Sequence, residues 1–154
     1  MKTGRVVINK LRKRQGSAIA YVLLILVLVS ISSMLVLSLF ASNFKLATHQ
    51  ERSTEAYYLA YSGAELAFAA LAADSNQIFN QLVANPSTSR NQTLTLENGT
   101  VVVSARQVTA GSPYYTMYPG WIMITSTGTL NRDNTARTRI LLVDNTDQQN
   151  LVWK

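Results

Sequence analysis

SAIAYVLLILVLVSISSMLVLSLFASNF, residues 17–44, is the stretch that decides the fold. It holds no charged side chain. Its apolar part, 18–41, is longer than the roughly 20 residues a helix needs to cross a hydrocarbon core about 30 Å thick. Between Val22 and Phe40 there are 14 Val, Leu, Ile and Phe residues. At roughly −0.3 to −0.6 kcal/mol each, they favour insertion by about 4–8 kcal/mol. Ser30, Ser32, Ser33 and Ser38 interrupt the run. Their hydroxyls can bond back to the helix or across to a neighbouring one. Residues 17–44 are therefore read as a transmembrane helix.

The flanks orient it. Six of the 14 basic residues of the 154-residue chain (Lys2, Arg5, Lys10, Arg12, Lys13, Arg14) precede the span, with no acid among them. Beyond it Lys45 and Arg52 are mixed with Glu51 and Glu55. The positive-inside rule puts the N-terminus in the cytoplasm and residues beyond about 45 outside. Two plainer readings stay open. A secretory signal peptide has a shorter apolar region of about 7–15 residues and a small-residue cleavage site, and Leu39-Phe40-Ala41 matches that poorly. A plain single-pass anchor needs nothing more than the span itself.

The net charge of +6 belongs to residues 1–16 alone, because from Ser17 onward eight basic residues face eight acidic ones. A nucleic-acid partner, which wants a basic patch on the folded domain, is not expected. The absence of Cys removes disulfides, thiolate metal sites and a thiol nucleophile. One histidine, His49, leaves no His-pair metal site and little room for a triad. No enzyme activity, metal or cofactor is expected.

The helical pattern does not stop at the membrane. No Gly or Pro occurs from Ser17 to Ser62. Ala60, Ala64, Ala67 and Leu71 recur at helical spacing, as do Tyr57, Tyr61, Ala64 and Phe68, which makes a wide apolar stripe. A continuous helix from about 17 to 71 would span roughly 80 Å at 1.5 Å per residue. Only the first part fits in a bilayer, so the part over 45–72 must lay its stripe on something else. Gly63 lies within the stripe. A helical Gly costs roughly 1 kcal/mol against Ala, which points to close packing there against a neighbouring backbone or sheet.

Residues 73–92 shift to Asn, Gln, Ser, Thr and Pro86 and are read as a connecting loop with a short helical turn at 77–83. The period then becomes two. Leu94 and Leu96 alternate with polar partners, as do Val101 and Val103, around Asn98-Gly99, a type I′ hairpin signal. Further strands are expected at 121–129 and 135–143, separated by a turn at 131–134. The tail is either a frayed end or a last short strand. This gives an antiparallel sheet of three to four strands over 93–154, too small to bury a core alone. The stripe over 45–72 is its natural cover, so the expected fold is α+β, a long N-terminal helix packed on a small antiparallel β-sheet.

A basic leader ending in Arg14-Gln15-Gly16, then Ser17, a long apolar helix and a helix-backed sheet together resemble a type IV pilin over nearly the whole chain. Gly16-Ser17-Ala18-Ile19-Ala20-Tyr21 is similar to a prepilin peptidase site, where cleavage follows the Gly. The segment from Glu55 through Ala56-Tyr57-Tyr58-Leu59-Ala60 to Glu65 is similar to a segment of PilX-like minor pilins, and Ile124-Thr125-Ser126-Thr127-Gly128-Thr129 resembles their sheet region. The resemblance implies removal of residues 1–16 by the peptidase, methylation of the new N-terminus at Ser17, and assembly through the helix. Tyr21, Leu24, Leu28, Leu35 and Phe40 would be its assembly residues. Implied partners are other pilins, the prepilin peptidase, an inner-membrane assembly platform and, before assembly, membrane lipid. Major pilins carry Glu at the fifth mature position, whereas this chain has Tyr21, a departure shared with the tip pseudopilin of type II secretion. The resemblance thus implies a minor, tip-associated or initiating pilin, perched in the membrane and then in an extracellular pilus that serves functions such as cell adhesion. A pseudopilin of a secretion or DNA-uptake machine is the alternative.

Other candidate groups are few. His49 is expected to be a solvated helix residue. Glu51 and Glu55 share a helix face, within reach of Arg52 for local pairing worth a few tenths of a kcal/mol. Tyr114, Tyr115, Tyr118 and Trp121 cluster around Pro113 and Pro119. They form either a partner contact surface or a loop folded back on the small core.

Overall fold

The computed structural model describes residues 3–73 and 77–154, with side chains from residue 18 on. The cleavage pair Gly16 and Ser17 lies outside the residues whose side chains are described. The elements in order are α1 (Thr3–Ala73), α2 (Gln77–Ala84), β1 (Ser89–Thr95), β2 (Gly99–Gln107), β3 (Ile122–Leu130), β4 (Ala136–Val143) and β5 (Leu151–Trp153). Two compact units divide at Met1–Thr48 and His49–Lys154.

In the first unit the apolar residues from Ile19 to Leu46 are exposed. Among the described residues, α1 is the one helix long and apolar enough to cross a membrane. Ser30, Ser32 and Ser33 donate to the carbonyls of Leu26, Leu28 and Val29 at 2.8–2.9 Å. Each hydroxyl is thereby satisfied within its own helix and adds no unpaired polar group to the apolar surface.

In the second unit the sheet is antiparallel throughout, in the order β1-β2-β3-β4-β5. Five strands form rather than three or four. The strand expected around Leu94 starts at Ser89, inside the segment read as a loop, because Ser89–Gln92 holds no apolar residue to announce a strand. It pairs in unbroken register from Ser89 opposite Arg106 to Thr95 opposite Thr100. The tail closes the other edge as β5 on β4. The fold is α+β, with residues 49–73 of α1 laid on one face of this sheet.

Two apolar clusters form. On the helix side, Ala64, Leu71, Phe79 and Leu82 pack with Val101, Val103, Ile122, Ile124, Leu141 and Val143. On the opposite face Val108, Met123 and Leu142 make a smaller cluster. The contact of helix and sheet is unusually close. A Cβ added at Gly63 would meet Val101 and come within 2.6 Å of the Ser126 hydroxyl. One added at Gly128 would lie 2.6 Å from the Ala60 nitrogen and 2.7 Å from the Ala56 carbonyl oxygen. Ala56, Ala60 and Ala64 are fully buried. Small residues on both sides therefore let the two backbones approach, which accounts for Gly63 inside the helical stripe.

The same contact corrects the hairpin. Leu96 and Gly99 exchange backbone hydrogen bonds, at 2.8 and 3.4 Å, so the central turn residues are Glu97 and Asn98. Neither has positive φ, and neither does Gly99. The type I′ turn at Asn98-Gly99 does not form. Gly99 instead begins β2, where a Cβ would lie 2.5 Å from the Thr129 carbonyl oxygen and 2.8 Å from Leu59. Steric room, not backbone freedom, is what Gly supplies there. The turn after β3 does use the left-handed region, at Asn134 with φ 58°, a conformation Asn tolerates better than most residues.

The glycine contacts give a direct test. Gly128→Ala forces a methyl group against the helix backbone, and overpacking of this kind costs about 1–3 kcal/mol. Gly111→Ala meets nothing within 4 Å and should change stability by less than about 0.5 kcal/mol. Thermal unfolding of the sheet followed by circular dichroism should separate the two. Equal melting temperatures would mean that the helix does not sit this close in solution.

Candidate functional site

The apolar surface of residues 18–44 is the first candidate. Of the residues expected to carry assembly, Tyr21 is 67% exposed, Leu24 57%, Leu28 56%, Leu35 63% and Phe40 75%. They are not confined to one stripe, because Val22 through Val29 are all open to a similar degree. A helix that is apolar all round is stable only where its surroundings are apolar too.

The second unit carries two polar links between residues 49–73 and the β3–β4 turn. Arg52 donates to Asp133 Oδ2 at 2.9 Å. Arg132 pairs with Glu55 Oε2 at 2.5 Å. Arg52 therefore does not pair locally with Glu51 or Glu55, as its helical spacing suggests, but with a residue 81 positions away. Next along β4, Arg137 donates to the Ser53 hydroxyl at 2.8 Å, and Arg139 lies over the Tyr57 ring at 4.9 Å. Tyr57 stacks on Tyr61, which stacks on Trp153 of β5 at 4.5 Å. Three basic residues of the turn and β4 and a C-terminal Trp thus grip one side of the helix. Apart from Tyr57 and Tyr61, four apart on one helix face, none of these pairs was visible in local spacing, since each joins elements far apart in sequence.

Charge states follow the contacts. The Thr135 backbone N–H, and then Arg52, hold Asp133 below the ordinary carboxylate value. Asp144 is held low in the same way, first by the Thr146 N–H and then by the Thr146 hydroxyl. Hydrogen bonding to the Glu65 carboxylate raises the Tyr61 phenol. His49 is exposed. Among the described residues no three His, Asp or Glu side chains are grouped to hold a metal ion.

The aromatic loop is partly folded in. Tyr114, Tyr118 and Trp121 pack against Val108, Met123 and Leu142 on the face opposite the helix. Tyr118 and Trp121 are 4.9 Å apart, and the Lys154 ammonium lies 5.6 Å from the Tyr118 ring centre. Tyr115, 42% exposed, and Met117 project from the same loop. Three of the four aromatic candidates thus serve as core for the second cluster while keeping part of their surface open.

In comparisons with known proteins, no protein-family model matches the chain, no curated protein matches it and no solved structure matches it.

The hold on the Asp133 carboxylate, from Thr135 first and from Arg52 after it, predicts a pH dependence. The folded carboxylate binds a proton less readily than the unfolded one, whose ordinary value is 3.8. Its contribution to stability is therefore full above that value and is lost as pH falls through the depressed one. Asp133→Asn should lower the unfolding temperature at neutral pH. The gap to the parent chain should close as the solution is made strongly acidic. A gap independent of pH would show that the amide loses turn geometry rather than charge.

Proposed function

We propose that this chain is a minor structural subunit of a type IV pilus, tip-associated or initiating, cut after Gly16 by prepilin peptidase and assembled through residues 17–44. The observation that carries the reading is the exposure of apolar side chains all round the helix from Ile19 to Phe44. Such a surface needs lipid or other apolar helices around it. In this reading it has both in turn: lipid before assembly, and the helices of neighbouring pilins after extraction into the filament. Because one apolar environment replaces another, extraction gains little by itself and needs an ATP-driven machine elsewhere.

The leader supports the reading physically. Cationic residues next to a span are drawn to the anionic cytoplasmic face, at about 1 kcal/mol each. That holds Gly16 at the membrane boundary, within reach of a membrane peptidase, and Gly offers no Cβ to obstruct the protease cleft. Tyr21 favours a minor subunit. A carboxylate at that depth costs roughly 2.5–3.5 kcal/mol unless it is paired. It is useful to a subunit that must neutralise the N-terminal amine of a neighbour, and a tip subunit has no such task. The sheet and the exposed part of the aromatic loop then remain outside the helical bundle to select partners.

The test is the intact mass and N-terminal sequence of the full chain expressed with and without a prepilin peptidase. The expected mature chain begins at Ser17, and Gly16→Val should leave it uncut. A chain uncut in both cases, or one cut near Ala41, would replace this reading with a plain anchor or an exported domain. Leu28→Asp should reduce membrane insertion by the penalty of an unpaired charge, about 2.5–3.5 kcal/mol. That variant is read by carbonate extraction of membranes, and unchanged retention would mean that the span lies elsewhere.

A further inference from the structure

β1 is an open sheet edge of seven residues. Because Leu96 and Gly99 exchange both backbone bonds, alternation along the ladder turns the N–H and C=O groups of Leu94, Gln92 and Arg90 toward β2. Those of Asn91, Thr93 and Thr95 point outward from the sheet. Natural edges are usually guarded by charged side chains, Lys above all, by Pro or by a bulge. β1 contains no Lys and no Pro, its one charge is Arg90, and its register is unbroken. The opposite edge, β5, is only three residues long.

A groove of about 710 Å³ lies beside this edge on the helix side of the sheet. Leu66 and Ala70 of α1, Ile78 of α2, and Leu94, Val103 and Ala105 of the sheet line it. Leu66 is 57% exposed. Arg90 is the only charged residue among the described lining residues. Its guanidinium donates to Gln81 Oε1 at 2.8 Å, a neutral acceptor. A carboxylate would bind it more strongly, by a charge-assisted bond.

We propose that β1 and this groove accept an extended segment of another protein chain by strand addition. The segment carries apolar side chains at two alternate positions and a carboxylate at the next. In antiparallel addition its backbone pairs with Asn91 and Thr93. Residues opposite Leu94 and Gln92 face the groove side of the sheet, and the residue opposite Arg90 supplies the carboxylate. A second copy of β1 does not fit this description, because SRNQTLT contains no acid and would leave Arg90 unmet. The proposal rests on the second unit alone and is independent of the pilus reading.

The probe is a fluorescein-labelled peptide, Thr-Val-Thr-Val-Thr-Asp-Thr, titrated by anisotropy with the full chain in lipid nanodiscs, against empty nanodiscs. Saturable binding is expected. Arg90→Glu should weaken it about tenfold and shift preference to the peptide with Lys in place of Asp. Thr93→Pro removes an outward N–H that no internal bond uses, a change tolerated on sheet edges, and should abolish binding. Ala70→Trp fills the groove from an exposed position and should do the same with the edge intact. No saturation up to about 1 mM, the weak limit of specific association, would overturn the proposal. So would binding unchanged in both Thr93→Pro and Ala70→Trp. Concentration-dependent self-association blocked by these two variants would also overturn it, by making a second copy the occupant.

Discussion

The close approach of residues 49–73 of α1 to the centre of the sheet is the constraint on which the rest of the second unit depends. Ala56, Leu59, Ala60 and Gly63 on the helix meet Gly99, Val101, Ser126 and Gly128 on β2 and β3. Small residues at the centre of the contact bring the two backbones together. Larger ones, Leu71, Ile122, Ile124 and Leu141, then fill the end of the interface, where α2 adds Phe79 and Leu82. A sheet of this size has little core of its own, so apolar burial against the helix is the term that stabilises it. Among the described residues the buried Ser126 hydroxyl has no hydrogen-bond partner. That is a cost of the order of 1–3 kcal/mol for a desolvated polar group, accepted where a larger apolar side chain would push the helix away.

Around this apolar contact the polar and aromatic residues set direction. Arg52 with Asp133, Glu55 with Arg132, and Ser53 with Arg137 tie a single turn of the helix to the β3–β4 turn and β4. Exposed ion pairs contribute little stability individually. Their geometry still fixes which rotation of the helix faces the sheet. The stack of Tyr57, Tyr61 and Trp153 extends the same registration to the last strand. On the far face, the Tyr- and Trp-containing loop supplies the cover that a helix supplies on the near face.

The two units present different surfaces to their surroundings. In the first, side chains suited to hydrocarbon are exposed on every side of the helix, and the Ser hydroxyls are satisfied internally. In the second, the exposed features are specific: a projecting loop tip at Tyr115 and Met117, and a regular edge strand beside an apolar groove with one cation. On the proposed pilus reading, with a helix interchangeable between lipid and neighbouring helices, the choice of partner would have to come from such features on the folded domain.

Local pattern was enough to determine the long helix, the membrane-compatible span, the strands β2, β3 and β4 and their cover by the helix. The span follows from an uninterrupted apolar run, and the other elements from hydrophobic periodicity, which survives in a single sequence because one face of each is dry. Gly63 was legible too, since a helical Gly needs a steric reason. The tertiary structure alone decided that the strand expected around Leu94 begins as early as Ser89, because the pairing of Ser89–Gln92 comes from β2 rather than from an alternation of their own. It alone decided that Gly99 serves the helix contact instead of a turn, and that the tail forms β5. It also matched Arg52 with Asp133 and turned three of the four loop aromatics inward. These outcomes depend on what lies opposite each residue after the chain has folded, and contacts such as Arg52–Asp133 and Ser53–Arg137, 81 and 84 residues apart, leave no mark in local spacing.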